Sequence, residues 1–107
     1  MQYVKEILPN EHISENDKTQ LINPETGRQL ELDIFIPSIR KAIEFQGTYW
    51  HSLNKQKKYD IIKMEECRNN GIMLFQLDEE IWVNENDKGK QLIFDFIFSD
   101  NGESRNE

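Results

Sequence analysis

The chain has 107 residues, a formal net charge of −7 at pH 7, 36% hydrophobic residues and one cysteine. This length and composition suit a single folded domain with a modest core and exclude a disordered chain. They also exclude a membrane-spanning helix, because no apolar run approaches ~20 residues, and an internal disulfide, because Cys67 has no partner cysteine.

The first third of the sequence predicts one short helix and two strands. Residues 2–8 are predicted to form a helix. Residues 10–20 are predicted to form a polar loop or an edge strand, and a strand is expected at residues 19–22. A turn then leads into a strand at 29–36. In that strand aliphatic residues alternate with polar ones, which predicts a buried face and an opposite, polar face made of Glu31, Asp33 and Phe35.

The middle of the sequence predicts a third strand, a loop and a second helix. A tight turn at Pro37 and Ser38 precedes the strand at 41–46, in which Glu44 and Gln46 share a face. The loop at 47–58 is rich in aromatic and basic residues. The helix at 59–70 ends at Gly71, a residue typical of helix C-termini.

The last part of the sequence predicts one more strand and one more helix. The apolar run 72–77 is typical of a buried strand, parallel to its predecessor. Asn86 or Asp87 is expected to cap a helix that continues through about Phe98.

This order of helix, three strands, helix, strand and helix predicts an α/β fold with a mixed sheet. Residues 1–98 are expected to form one domain, followed by a polar C-terminal tail at residues 99–107.

The basic residues are concentrated in one part of the chain. Residues 1–39 carry three basic and seven acidic groups, residues 40–68 carry seven basic and four acidic groups, and residues 69–107 carry three basic and nine acidic groups. Only the central segment has a positive balance, which suits contact with nucleic acid. An ordinary solvated, lysine-rich surface explains the same pattern equally well.

Two acidic residues are predicted to meet across the hairpin of the second and third strands. Reflection about a turn centred near residue 38 or 39 places Asp33 opposite Glu44 on the same sheet face. Adjacent carboxylates repel each other unless a cation lies between them, and their oxygens suit Mg²⁺ or Mn²⁺. The alternative is an ordinary solvated sheet face with an acid at every second position.

The loop after the third strand contains two aromatic residues and a histidine. Tyr49 and Trp50 are costly to expose, so they either join the core or stack against a partner. His51 follows, and imidazole is the side chain best suited to proton transfer near neutral pH. Asp60, in the first turn of the next helix, is placed to orient that imidazole. The alternative for His51 is an ordinary surface histidine.

The segments from Glu31 to Pro37 and from Ala42 to His51 resemble the PD-(D/E)XK nuclease superfamily. Within it the chain is most similar to phage and mobile-element endonucleases of the homing type, related to the very-short-patch mismatch-repair endonuclease. The similarity spans roughly residues 19–82. It implies a restriction-endonuclease-like core and Mg²⁺-dependent hydrolysis of phosphodiester bonds in DNA.

The resemblance also implies roles for individual residues. Asp33, with help from Glu44, would hold the Mg²⁺ or Mn²⁺ ion, and His51, oriented by Asp60, would activate water. Gln46 stands where the superfamily carries the lysine of its Glu-x-Lys pair. Stabilising positive charge must therefore come from the metal, from His51 or from a nearby lysine.

Further implied roles concern DNA and an additional acid. Tyr49 and Trp50 would approach or wedge into stacked bases. The lysines available near the site, as a source of positive charge and of DNA contacts, are Lys55, Lys57 and Lys58. Relatives complete the site with a glutamate from an N-terminal helix, and Glu6 is the nearest candidate here, although its spacing does not match well.

Two other functions stay open on the sequence. A nuclease fold that has lost cleavage could bind nucleic acid or a protein partner, which the acidic composition favours and the intact Asp33, His51 and Asp60 disfavour. An acidic DNA mimic would explain the charge but not the Trp-His loop. For the nuclease we expect DNA as partner, a separate DNA-recognition domain or a homodimer, no membrane contact, and a location in the cytoplasm of a bacterium or a phage-infected cell.

Overall fold

The computed structural model describes residues 1–47 and 54–99, and of residues 54–56 only the backbone. The chain forms an α/β fold with a mixed four-stranded sheet, as predicted. Its elements are α1 (Gln2–Ile7), β1 (Ser14–Ile22), β2 (Gln29–Ile36), β3 (Lys41–Gln46), α2 (Asn54–Asn69), β4 (Met73–Asp78), α3 (Glu79–Asn84) and α4 (Asn86–Phe98). Within the described ranges, no helix is both long and apolar enough to cross a bilayer.

The sheet has the strand order β1-β2-β3-β4. The pairs β1–β2 and β2–β3 are antiparallel, whereas β3 and β4 are parallel, as predicted for the strand after the second helix. Ile34 lies opposite Ile43, so the hairpin of β2 and β3 is centred between residues 38 and 39. The connection is a 3₁₀ turn (Pro37–Ile39). Arg40 follows this turn and adopts the left-handed conformation, with φ 54°.

Two apolar clusters cover opposite sides of β3. The first joins α1 and α4 to the sheet and contains Val4, Ile34, Ile36, Ile43, Leu77, Ile93 and Ile97. The second lies under α2 and contains Leu21, Leu30, Leu32, Phe35, Ala42, Cys67 and Ile72. Ala42 and Ile43 belong to different clusters because successive side chains of a strand point to opposite faces. The sheet is therefore packed between helices.

Three features of the strands differ from the predictions. β1 begins at Ser14 rather than near residue 19, because an edge strand tolerates polar side chains along its open side. β4 is an edge strand rather than a buried one: Met73 is 40% exposed, and of its six residues only Leu77 is buried. Phe35, predicted on the polar face of β2, is buried in the second cluster because α2 covers that face.

The helices also differ at their starts. α2 begins at Asn54, ahead of the predicted start at residue 59. The short helix α3 was not predicted, and the Asp78 carboxylate caps it by accepting a hydrogen bond from the Glu80 N–H. Glu85 occupies the N-cap position of α4 in place of Asn86 or Asp87, because α3 and α4 follow each other with one residue between them. Gly71, two residues after the end of α2, adopts a left-handed conformation with φ 71°, as expected for the glycine predicted to stop this helix.

A buried lysine attaches the end of α4 to the sheet. Lys41, at the start of β3, is 2% exposed, and its Nζ donates to the carbonyl oxygens of Phe96, Ile97 and Ser99 at 2.6, 3.1 and 3.0 Å. Carbonyl groups at a helix C-terminus carry partial negative charge, so a cation there is favourable. This contact fixes α4 against the face of the sheet opposite α2.

Replacing Ile43 by alanine should lower the free energy of unfolding by about 2–5 kcal/mol, because the substitution removes fully buried contacts and leaves a cavity. Urea denaturation followed by circular dichroism measures the change. Ile61→Ala is the matched control, since Ile61 is 57% exposed on α2 and should tolerate truncation. Equal losses in the two variants would contradict the place of Ile43 in the core.

Candidate active site

The hairpin of β2 and β3 brings Asp33 and Glu44 together. Continuing the register from the Ile34–Ile43 pair places residue 33 opposite residue 44. The Asp33 N–H donates to Glu44 Oε2 at 2.8 Å, and the Phe45 N–H donates to Asp33 Oδ2 at 3.0 Å. Each carboxylate is thus held by a main-chain donor of the opposite strand, so the sheet itself fixes both positions.

A lysine from α2 completes this cluster. Lys63 Nζ lies 2.7 Å from Glu44 Oε1, and the two side chains are only 6% and 9% exposed. The same ammonium lies 5.0 Å from the centre of the Tyr59 ring, one helical turn away, in a cation–π contact. For Glu44, the cation that balances the adjacent carboxylates is therefore the ammonium group of Lys63. We call Asp33, Glu44 and Lys63 the hairpin cluster.

Burial and charge act in opposite directions on the ion pair. Burial raises the pKa of Glu44 above its ordinary value, even though Lys63 and the Asp33 N–H favour the ionised carboxylate. Burial alone would lower the pKa of Lys63, but the charge and the hydrogen bond of Glu44 raise it above the ordinary value. Lys63 therefore stays protonated at neutral pH, and ionised Glu44 depends on it.

Two further residues face the hairpin cluster. Gln76 lies opposite Glu44 in the parallel register of β3 and β4. Cys67, one helical turn after Lys63, is buried, and burial raises the pKa of its thiol to about 11. The thiol is therefore protonated near neutral pH, which makes Cys67 a core residue rather than a nucleophile.

The other predicted site residues are not among the three that define the hairpin cluster. Asp60 is 7% exposed on α2, three residues before Lys63. Gln46 is half-buried at the end of β3, opposite Asp78 in register and two residues beyond Glu44. Tyr49, Trp50, His51 and the side chain of Lys55 lie outside the described residues, so their predicted roles stay predictions.

Lys57 and Lys58, two of the three lysines predicted near the site, do not supply the cation at Glu44. Lys57 and Lys58 are exposed, and Lys58 Nζ lies 3.4 Å from Glu25 in the turn between β1 and β2. Lys63 takes this place and was missed on the sequence. Its signal was the spacing of Asp60, Lys63 and Cys67, which puts all three on one helix face.

Glu6 lies apart from the hairpin cluster. It is exposed on α1, where its carboxylate accepts a hydrogen bond from the Gln2 side-chain amide at 3.4 Å. α1 packs through Val4 against the first apolar cluster, on the side of β3 away from α2. This separation agrees with the poor match between the sequence position of Glu6 and that of the glutamate in the relatives.

Replacing Lys63 by methionine should lower the free energy of unfolding at pH 7 by about 3–5 kcal/mol, because Glu44 would stay buried without its countercharge. Urea denaturation measures the loss. Lys57→Met, the same substitution at an exposed position of the same helix, should stay close to the parent. A loss at Lys63 as small as that of the control would contradict a buried ion pair.

Comparisons with known proteins found relatives but no family. No known family profile matches the chain, and no solved structure matches it. "Uncharacterized protein 094L" of Frog virus 3 (isolate Goorha) is 36% identical over 69 residues, which cover 53% of this chain and 44% of the viral protein. "Uncharacterized protein 033L" of Invertebrate iridescent virus 3 is 29% identical over 76 residues, which cover 61% of this chain and 39% of that protein. The chain spans less than half the length of these curated relatives.

Proposed function

We propose that the chain is a metal-dependent endonuclease domain that hydrolyses phosphodiester bonds in DNA, on a restriction-endonuclease-like core. The observation that carries the proposal is the hairpin cluster, in which two carboxylates and one ammonium group meet. Phosphodiester hydrolysis requires positive charge at the phosphoryl oxygens and a base for the attacking water. In this proposal the cluster supplies the charge, and His51 with Asp60 supplies the base, as the resemblance implies.

The topology of the sheet supports the proposal. The chain has the element order that the sequence pattern predicted: a helix, three antiparallel strands, a helix and a strand parallel to the third. This order is compatible with the restriction-endonuclease-like core that we propose. Folds host many functions, so it adds weight only together with the meeting of Asp33 and Glu44.

The donor set of the cluster fits Mg²⁺ or Mn²⁺. Within residues 1–47 and 54–99 no group of three or more acids, histidines or cysteines could hold a metal ion, but Mg²⁺ is commonly bound by one or two carboxylates together with water and substrate phosphate. Asp33, whose Oδ2 accepts one main-chain bond, and Glu44 would hold the ion. The ion would supply a Lewis acid that polarises a phosphoryl oxygen.

Lys63 provides the side-chain charge that Gln46 lacks. Its ammonium group is protonated and directed at the Glu44 carboxylate from the middle of α2. In the proposed reaction this charge lies beside the scissile phosphate and stabilises the negative charge that develops on the phosphoryl oxygens. A lysine from a helix thereby takes the place of a lysine two residues after the strand glutamate.

Activation of water belongs, in this proposal, to His51 with Asp60. His51 takes the proton of the attacking water, and Asp60 holds the imidazole in the tautomer that leaves its other nitrogen free to accept. Support for this role comes from the buried position of Asp60 on α2, the helix that also carries Lys63.

The Glu44–Lys63 ion pair also favours a second candidate, a nuclease-fold module that binds nucleic acid or a protein without cutting. Because Lys63 already neutralises Glu44, the pair is complete without a metal ion. Calorimetry with Mn²⁺ separates the two candidates. One ion per chain, lost in Asp33→Asn, supports the nuclease, whereas the absence of binding supports the module.

The purified chain should convert supercoiled plasmid DNA to nicked or linear forms with Mg²⁺ or Mn²⁺, and EDTA should stop the reaction. His51→Ala should lower the cleavage rate by about 10²–10⁴-fold, the usual contribution of a proton-transfer group, and Asp33→Asn should abolish cleavage. The matched control is His12→Ala, because His12 is the other histidine of the chain and is exposed before β1.

Circular dichroism of each variant shows whether it is folded, so that a lost activity can be assigned to the site. Parental cleavage by His51→Ala would reject that histidine as the base. A parent protein that cuts no DNA with either ion would reject the nuclease proposal itself.

A further inference from the structure

A glutamine beside Glu44 has no role in the reaction described above. Gln76 on β4 lies directly opposite Glu44 on β3. Residues in register on parallel neighbours project from the same face of a sheet, so Gln76 and Glu44 both face α2. The preceding pair of that face, Ala42 and Leu74, packs in the second apolar cluster under α2.

The side-chain amide of Gln76 contains a buried donor without an acceptor. Its Nε2 atom is buried and makes no hydrogen bond, and it is the one buried side-chain nitrogen or oxygen in this state among the described side chains of residues 1–47 and 57–99. A donor that loses water without gaining an acceptor costs folding free energy, so native proteins contain few of them. A buried donor of this kind is a candidate for a hydrogen bond to a ligand that binds the folded protein.

Three of the four carboxylate oxygens of the hairpin cluster already accept a hydrogen bond. Glu44 Oε1 accepts from Lys63, and Glu44 Oε2 accepts from the Asp33 N–H. Asp33 Oδ2 accepts from the Phe45 N–H. Gln76 Nε2 donates to none of them. An acceptor from outside the hairpin cluster would satisfy this donor, and with a divalent ion held by the two carboxylates, as proposed above, an anionic oxygen is favoured.

We infer that Gln76 is a substrate-binding residue, whose Nε2 donates a hydrogen bond to a nonbridging oxygen of the DNA phosphate held beside Lys63. This inference rests on the proposed function. Gln76 as a whole is half-buried on the edge strand β4, so part of the residue reaches solvent, and a change of its side-chain torsion angles would bring the N–H to an incoming phosphate. The folding free energy lost in the free protein is then recovered when the phosphate binds.

The test compares Gln76→Leu with the parent in two measurements. Thermal denaturation of the free protein should show a Tm higher by a few degrees, because an apolar side chain replaces a buried donor without an acceptor. Fluorescence anisotropy of a labelled DNA duplex, in Ca²⁺ to support binding without cleavage, should show a Kd about tenfold higher, as expected for one lost hydrogen bond to a charged group.

Gln29→Leu is the matched control, since Gln29 is exposed on β2 and should change neither Tm nor Kd. Gln76→Met, which is unbranched like glutamine, provides a second variant if leucine disturbs β4. A lower Tm in both Gln76 variants would overturn the inference, because it would show that the amide is already satisfied in the free protein, as by a buried water. An unchanged Kd would overturn it as well.

The inference and the proposed function can fail separately. A parent that binds DNA and does not cut it contradicts the nuclease, while the Kd of Gln76→Leu still tests the hydrogen bond to phosphate. A parent that cuts DNA, with an unchanged Kd in Gln76→Leu, contradicts only the inference. A parent that binds no DNA contradicts both.

Discussion

The ion pair between Glu44 and Lys63 joins the helix α2 to the hairpin of β2 and β3. Both side chains are almost fully buried, and taking two charges out of water is repaid only when their geometry is good and their remaining hydrogen-bonding groups are satisfied. The Asp33 N–H satisfies the second Glu44 oxygen, and the Tyr59 ring covers the ammonium. The position of α2 over the sheet, and with it that of Asp60, therefore depends on a polar contact surrounded by apolar ones.

In the proposed nuclease, the charges of the hairpin cluster would make DNA binding depend on a metal ion. Two carboxylates and one ammonium leave one net negative charge, and the nearby Asp60 adds to it. A DNA phosphate would meet repulsion at such a site, all the more in a chain with a net charge of −7. A divalent cation between the carboxylates and the phosphate would reverse the local charge. On this account metal binding precedes tight binding of DNA at the cluster.

Local sequence signals predicted those features that depend on neighbouring residues in the chain. The turn centre and the alternation of β2 were enough to place Asp33 opposite Glu44, and Gly71 marked the end of α2. Lys63 was missed because it reaches Glu44 across the α2–sheet interface, and lysines on helices are mostly solvated. The pairing of Gln76 with Glu44 depends on how the long connection through α2 sets the parallel register. The edge position of β4 could not be predicted either, since a run of apolar residues does not reveal how many strands lie beyond it.

The most direct test of the hairpin cluster as the reaction centre is Mn²⁺ titration followed by ¹H–¹⁵N NMR. The Asp33 and Phe45 amides donate directly to the two carboxylates, so a paramagnetic ion held there should broaden their signals before any others, and Asp33→Asn should remove the effect. Broadening centred instead on the acidic start of α3, at Glu79 and Glu80, or spread evenly over the acidic surface, would contradict the account.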